Sequence, residues 1–183
     1  DEMYQNAGEK GIPHDDPEDP PRRRANRRRG HGTFATDRPP VARVVGRESG
    51  KARLDVVDRA DGATLVMVVE DTTWVGATVD TDEWKGYNDL SGRHRNHVPI
   101  SYAGPRSEWA RDVDGDGVRE AHVNTMEGHR TGLRNFLRPF RGVSKWNLDQ
   151  YVAIFQWGHN LKRVPDDFLR VLLGVRPGTI PAS

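Results

Sequence analysis

The chain has 183 residues, 34% of them hydrophobic and 30% charged, which is enough for one domain with a buried core and short for two. It contains no cysteine, so disulfides, thiolate zinc sites and cysteine nucleophiles are excluded for this sequence. The net charge of +1 hides separate basic and acidic clusters, a combination that suits a polyanionic partner held near bound metal.

The N-terminal region is predicted to be a strand end followed by an inserted loop. The chain begins at Asp1 without methionine, and we expect it to be a fragment whose N-terminal part is missing. Residues 11–30 are rich in proline and arginine, which both oppose packing. Phosphate contact is the preferred role for the six arginines of this loop, although a merely solvated loop would carry the same charges. They are Arg22, Arg23, Arg24, Arg27, Arg28 and Arg29.

The middle of the chain is predicted to hold most of the strands. Residues 41–46 and 52–57 are β-branched runs separated by a polar turn, which is typical of a hairpin. Residues 63–70 fit either a helix or a strand, and a possible cap at Asp61 favours the helix. Two further short strands are predicted at 77–82 and 97–102.

The pattern becomes helical from Asn124 onward. Apolar residues recur at helical spacing up to Phe140, and Pro139 should end that helix near Arg138. A second helix is predicted over 148–159 and a short last one over 168–173. Strands followed by helices indicate an α/β domain over residues 1–175, with a mixed sheet, flanking helices and a loose tail at 176–183.

Four side chains with oxygen ligands are predicted to lie at strand ends or at a helix start. Asp1 and Asp82 end predicted strands, and Asn124 and Glu127 are three residues apart at the start of a helix. Hard divalent cations prefer such oxygen ligands. Each position also has a simpler interpretation: Asp82 as a turn residue, Glu127 as a partner of the helix dipole, and Asn124 as an N-cap.

Several motifs in order resemble the DDE-type transposases of bacterial and archaeal insertion sequences, in the group with an ISXO2-like transposase domain. The similarity covers almost the whole chain, and the order of the motifs makes it more specific than any one motif. The segments are DEMY at 1–4, TDEWKGY at 81–87, HVNTMEG at 122–128, TGLRNFL at 131–137, GVSK at 142–145, Tyr151, and HNLK at 159–162.

The resemblance implies a ribonuclease-H-like fold whose acidic triad binds Mg²⁺ or Mn²⁺. Such enzymes cut DNA at transposon ends and join the new 3′-hydroxyl to target DNA. By motif, Asp1 is the first carboxylate, Asp82 the second, and either Asn124 or Glu127 the third ligand. Lys145 corresponds to a lysine that would act as a point charge on DNA phosphate.

The family also implies partners and a location. We expect DNA (transposon ends and target) as the partner, a homo-oligomer on that DNA, no membrane, and a cytoplasmic, nucleoid-associated protein. Arg134, Arg138, Arg141 and Lys145 are candidate DNA ligands, or else a solvated helix face. The aromatic residues Trp84, Phe136, Phe155 and Trp157 are expected in the core.

Three departures from the family pattern keep other functions open. The usual N-terminal zinc ribbon and helix-turn-helix are not in this sequence, Arg130 stands where a tryptophan is expected, and Asp80 adds a charge beside Asp82. The alternatives are a catalytically inactive DNA-binding remnant and a related nuclease that cuts without joining.

Overall fold

The computed structural model describes residues 1–20, 30–101, 112, 117 and 124–161. Its first sheet contains three antiparallel strands, with the second in the middle. They are β1 (Glu2–Tyr4), β2 (Pro40–Val45) and β3 (Ala52–Val56). In the β2–β3 ladder, Val41 is paired with Val56 and Val45 with Ala52. The predicted hairpin is therefore confirmed.

The ambiguous segment after the hairpin is a helix, α1 (Gly62–Thr72). Its N-cap is Asp61, whose Oδ1 accepts hydrogen bonds from the Thr64 backbone N–H at 2.9 Å and the Thr64 hydroxyl at 2.7 Å. Such a cap satisfies N–H groups that have no partner inside the helix. The helical interpretation of this segment, with Asp61 as its cap, is confirmed.

The next two strands form a separate parallel pair, β4 (Thr78–Asp82) and β5 (Asn96–Ile100). A 3₁₀ segment over Lys85–Arg93 connects them. Both strands were predicted, but within the described residues they belong to a second sheet and not to one mixed sheet. Side chains link this region to the first sheet, since the Tyr87 hydroxyl donates to Glu2 Oε2 at 3.0 Å.

The C-terminal part of the described chain contains α2 (Asn124–Leu137) and α3 (Leu148–Asn160). A 3₁₀ turn over Arg138–Phe140 follows α2 directly, so the helix ends where Pro139 was predicted to end it. A second 3₁₀ turn, Lys145–Asn147, leads into α3. The predicted helix at 168–173, the tail and the arginines of positions 22–29 lie outside the described residues.

The antiparallel sheet has an apolar cluster on each face because successive side chains of a strand point to opposite sides. One cluster joins the sheet to α2 and α3, and the other joins it to α1 and the 3₁₀ segment after β4. The first comprises Met3, Ala7, Val41, Ala52, Leu54, Leu133, Leu137, Val143, Leu148 and Val152. The second comprises Ala42, Leu65, Val66, Val68, Val69, Tyr87 and Leu90. The described fold is therefore mixed α/β, with helices on both faces of the sheet.

The aromatic residues expected in the core are divided between core and surface. Phe136 and Phe155 are partly buried and pack against the first cluster. Trp157 is 56% exposed and Trp84 is 36% exposed, so the prediction that these two are core residues is wrong. For Trp157, the helical spacing of the apolar residues did not show that the side chain faces solvent.

Two amide side chains of α3 bind the backbone of β3. Asn160 Oδ1 accepts from the Ala52 N–H at 2.7 Å, and Asn160 Nδ2 donates to the Ala52 carbonyl at 2.9 Å. Gln156 Oε1 accepts from the Leu54 N–H at 2.6 Å. These bonds fix α3 along the strand. In the described part of the chain, no helix is both long and apolar enough to cross a membrane.

Candidate functional site

The site is built around Arg43 on β2 and Asp1, which immediately precedes β1 and lies opposite Arg43. The Arg43 N–H donates to the Asp1 carbonyl at 2.9 Å, so the two residues extend the ladder by one pair. Directly opposed residues of an antiparallel pair point to the same face. Both side chains therefore point toward α2, and the Arg43 Nη2 binds Asp1 Oδ2.

Arg43 also reaches the start of α2. Its Nη1 donates to the carbonyl of Met126 at 3.0 Å, and the residue as a whole is only 2% exposed. The third guanidinium position, Nε, has no hydrogen-bond partner within the described residues. One buried cation thus joins the beginning of β1 to the first turn of α2.

The Arg43 guanidinium remains charged at neutral pH despite its burial. Burial and, after it, the nearby positive charge of Arg130 lower the pKa of Arg43 to about 10. Transfer of a cation from water into a protein interior is costly unless an anion compensates it. Asp1 supplies that anion.

Asp82 lies at the end of β4, close to this pair. Its Oδ1 accepts a hydrogen bond from the Trp84 N–H at 3.2 Å. The negative charges of Glu2 and Asp82 both reach the main-chain nitrogen of Asp1. The structure therefore brings Asp82 within electrostatic range of Asp1, although the two residues lie in different sheets.

The two candidates for a third ligand lie in the first turn of α2. Glu127 is exposed there, where a carboxylate also interacts favourably with the helix dipole. Asn124 is the first residue of the helix, and its side chain lies outside the described part of the structure. The choice between them stays a prediction.

The described arrangement does not fit a bound divalent cation. The oxygen ligands are of the type that Mg²⁺ prefers, but a guanidinium occupies the Asp1 carboxylate. Among the described residues there is also no group of three or more histidine, aspartate or glutamate side chains placed to hold a metal ion. The residue types are suitable as metal ligands, but their positions in the described structure are not suitable for binding a metal ion.

Lys145 lies apart from these residues, in a buried ionic cluster. Its side chain is 5% exposed, and its Nζ lies 3.0 Å from Asp37 Oδ1 and 3.5 Å from Glu9 Oε1. The Nζ also donates to the Phe34 carbonyl at 3.3 Å. In this conformation its charge is directed into the protein, and its predicted contact with DNA stays a prediction.

The charges of three arginines interact beside the site. Burial lowers the pKa of Arg134, and the charges of Arg130 and Arg38 lower it further. Arg134 is exposed on α2, as are Arg138 and Arg141 beyond it. Exposed arginines on this surface suit an anionic partner such as a phosphate.

Sequence reasoning missed Arg43 and Arg38 as residues of this region. Arg43 left a signal in the sequence, because it lies two residues from Val41 and from Val45 in an otherwise apolar strand. Alternation places all three on one face. A charge at such a position indicates a buried partner, which here is Asp1.

Comparison with known proteins gives a consistent family. The model of the ISXO2-like transposase domain matches residues 10–160. A protein in the transposable element ISH50 of Halobacterium salinarum is 33% identical over 166 residues, which is 90% of this chain and 52% of that relative. The chain thus spans about half the length of the curated relative that it matches. No solved structure matches the chain with significance.

Proposed function

This chain belongs to the family of ISXO2-like transposase domains, and from that membership we propose that it is the catalytic domain of an insertion-sequence transposase. Its reaction is cleavage of DNA at the transposon ends, followed by joining of the free 3′-hydroxyl to target DNA. The family match over residues 10–160 is the observation that carries this proposal.

We propose that the fold is ribonuclease-H-like. The support is the order of elements: an antiparallel three-stranded sheet, a helix, a parallel pair of strands, and two helices. Helices pack on both faces of the first sheet. The proposed domain comprises residues 1–175, with the arginine-rich loop of residues 11–30 inserted in it.

The reacting phosphate belongs near Asp1, Asp82 and the first turn of α2. The effect of the Asp82 charge at the main-chain nitrogen of Asp1 supports this position, and the exposed Arg134 offers a cation for the phosphate. The family implies Mg²⁺ or Mn²⁺ at such a site. The described geometry does not fit that ion. The role proposed for these residues is therefore only to position the phosphate and to set the charge around it.

The partners follow from the reaction. The domain binds the transposon ends and the target DNA, and it acts as a homo-oligomer that holds two ends together. The proposed phosphate ligands are Arg134, Arg138 and Arg141, with the arginines of the inserted loop. Lys145 would join them only after leaving its buried cluster with Asp37 and Glu9. The proposed location is the cytoplasm, on the nucleoid.

A strand-transfer assay on the full-length protein tests the proposal. With labelled terminal DNA and Mn²⁺, we expect joined products that Asp82→Asn abolishes. Asp71→Asn is the control, because Asp71 is exposed at the end of α1, away from the site. Joined products that persist at the same rate in Asp82→Asn would contradict the assigned site. Nicked DNA without joining would indicate the related nuclease.

The second candidate function is a catalytically inactive DNA-binding remnant. The observation that favours it is the pairing of Asp1 with the buried Arg43, which removes a carboxylate from a metal site. Salt-sensitive DNA binding without any cleavage would support this alternative, because phosphate contacts release counterions whether or not chemistry follows.

A further inference from the structure

We propose that Arg43 is an internal cation of the acidic site, which takes the charge and the position that a divalent ion would have beside Asp1. A metal ion then binds Asp1 only when Arg43 leaves it. The inference rests on the proposed function, because it concerns the site assigned there.

The first support is the position of the guanidinium. It contacts Asp1 on one side and the Met126 carbonyl on the other. Met126 lies between Asn124 and Glu127, the two candidates for the third ligand. The guanidinium therefore lies between Asp1 and the first turn of α2, which would both have to contribute ligands to a metal ion.

The second support is the charge. Asp1 Oδ2 already accepts a charge-assisted hydrogen bond, which is among the stronger kinds of hydrogen bond in proteins. A divalent cation that approached the same carboxylate would be repelled by Arg43 at close range in a poorly solvated place. Arg130 adds a further positive charge near this position.

The third support is burial. The Arg43 side chain is only 1% exposed, whereas the Asp1 side chain is 28% exposed. Solvent therefore screens the pair weakly. Arg43 is enclosed between β2 and α2, so an ion from solution can reach the bound oxygen of Asp1 only if the guanidinium moves away. In contrast, the surface pair Arg53–Asp55, with the Arg53 side chain 56% exposed, has water as a ready substitute.

Calorimetric titration with Mn²⁺ alone tests the proposal on the wild-type chain and on Arg43→Met. Methionine keeps much of the apolar volume of the arginine stem and removes the charge. We expect Mn²⁺ to bind Arg43→Met at least about tenfold more tightly than the wild type, a difference that calorimetry resolves. Arg53→Met, which removes an exposed arginine from a similar pair, should bind as the wild type does. Equal affinity in Arg43→Met and the wild type would overturn the proposal.

A measurement on the wild type keeps the test decisive if Arg43→Met does not fold. Nuclear magnetic resonance can follow the Arg43 guanidinium and the paramagnetic broadening of Asp1 as Mn²⁺ is added. We expect Asp1 to broaden only together with a change in the Arg43 signals, or not to broaden at all. Broadening of Asp1 while the Arg43 signals stay unchanged would refute the competition.

Failure of the proposed function has a different signature. DNA binding by the same wild-type and Arg43→Met proteins reports on that function, and it is measured without metal. A chain without salt-sensitive DNA binding would contradict the transposase proposal and leave the comparison of Mn²⁺ affinities intact.

Discussion

The ammonium of Lys145 lies 3.0 Å from the carboxylate of Asp37, and both side chains are almost fully buried. Glu9 completes the cluster at 3.5 Å, and the rings of Phe34 and Trp146 lie 5.1 and 5.5 Å from the ammonium. Glu9 and Asp37 lie on opposite sides of the loop of residues 11–30. Lys145 therefore ties both ends of that loop to the turn between α2 and α3.

Replacement of Lys145 should destabilise the fold strongly. Lys145→Met removes the ammonium from beside the buried carboxylates of Glu9 and Asp37, and removal of one partner of a buried ionic group costs about 3–5 kcal/mol. Urea unfolding followed by circular dichroism measures the loss. Lys10→Met is the control, because the exposed Lys10 Nζ donates to the Phe140 and Gly142 carbonyls and to no other atom of the described residues. Its loss should cost less than about 1 kcal/mol. Equal unfolding midpoints for the two variants would refute a stabilising role for the cluster.

Asn160→Ala should weaken the attachment of α3 to β3. The substitution removes the partners of both the N–H and the carbonyl of Ala52, and an unsatisfied buried polar group costs about 1–3 kcal/mol. The matched control is Asn147→Ala at the other end of α3, where the side chain makes no capping hydrogen bond. Chemical denaturation should rank Asn160→Ala below Asn147→Ala, and the reverse order would contradict the structural assignment.

Stability should fall in alkaline solution because of Tyr87. Burial, followed by the charge of Glu2 and the hydrogen bond to it, raises the pKa of Tyr87 above its ordinary value. The unfolded chain therefore loses this proton first, at a pH of about 10. The stabilisation is complete below that pH and is lost as the pH rises further, by about 1.4 kcal/mol per pH unit for one such group.

Thermal unfolding between neutral and strongly alkaline pH measures this slope. Tyr87→Phe should flatten it, whereas Tyr151→Phe should leave it in place, because Tyr151 is a partly buried residue that packs against the first apolar cluster and the Phe140 ring. Burial also raises the pKa of Tyr4, to about 12, so part of the slope should remain in Tyr87→Phe. A slope unchanged by Tyr87→Phe would exclude Tyr87 as its source.

Arg134 should contribute to DNA affinity through phosphate. Arg134→Gln removes one cation from the three that interact beside the site, so affinity should fall for all DNA sequences alike. The slope of log affinity against log salt concentration should decrease by about one. Fluorescence anisotropy at several salt concentrations measures both quantities. Arg59→Gln is the control, because Arg59 is an exposed arginine that follows β3 in the chain. It should leave both quantities unchanged. An equal effect of the two variants would mean that Arg134 has no specific position on DNA.

The sequence was sufficient for the local elements and for their order. The hairpin of β2 and β3 and the two long helices have strong hydrophobic patterns, and Pro139 fixes the end of α2 because it cannot continue the helix there. Alternation along β2 also contained a signal that was missed, the charge of Arg43 among core positions. What it did not indicate was the strand register, which alone places Arg43 opposite Asp1.

The surroundings of Lys145 were beyond sequence reasoning for a related reason. Its two carboxylate partners are far away in the chain, at positions 9 and 37. A lysine near the start of a helix has the same local pattern whether it faces water, a phosphate or a buried acid. Only the approach of residues 5–10 to the turn before α3, where the Lys145 N–H donates to the Gly8 carbonyl at 2.8 Å, decides which of these it meets.

The amide side chains of α3 have a consequence for association between copies of the protein. An outermost strand normally presents free N–H and carbonyl groups to which a strand of another molecule can add. On β3, Asn160 already occupies the outward N–H and carbonyl of Ala52, and Gln156 occupies the N–H of Leu54. A copy of the chain that docks here would first have to displace α3. We therefore expect the proposed homo-oligomer on DNA to form through another surface, without a β-sheet that continues across the subunits at β3.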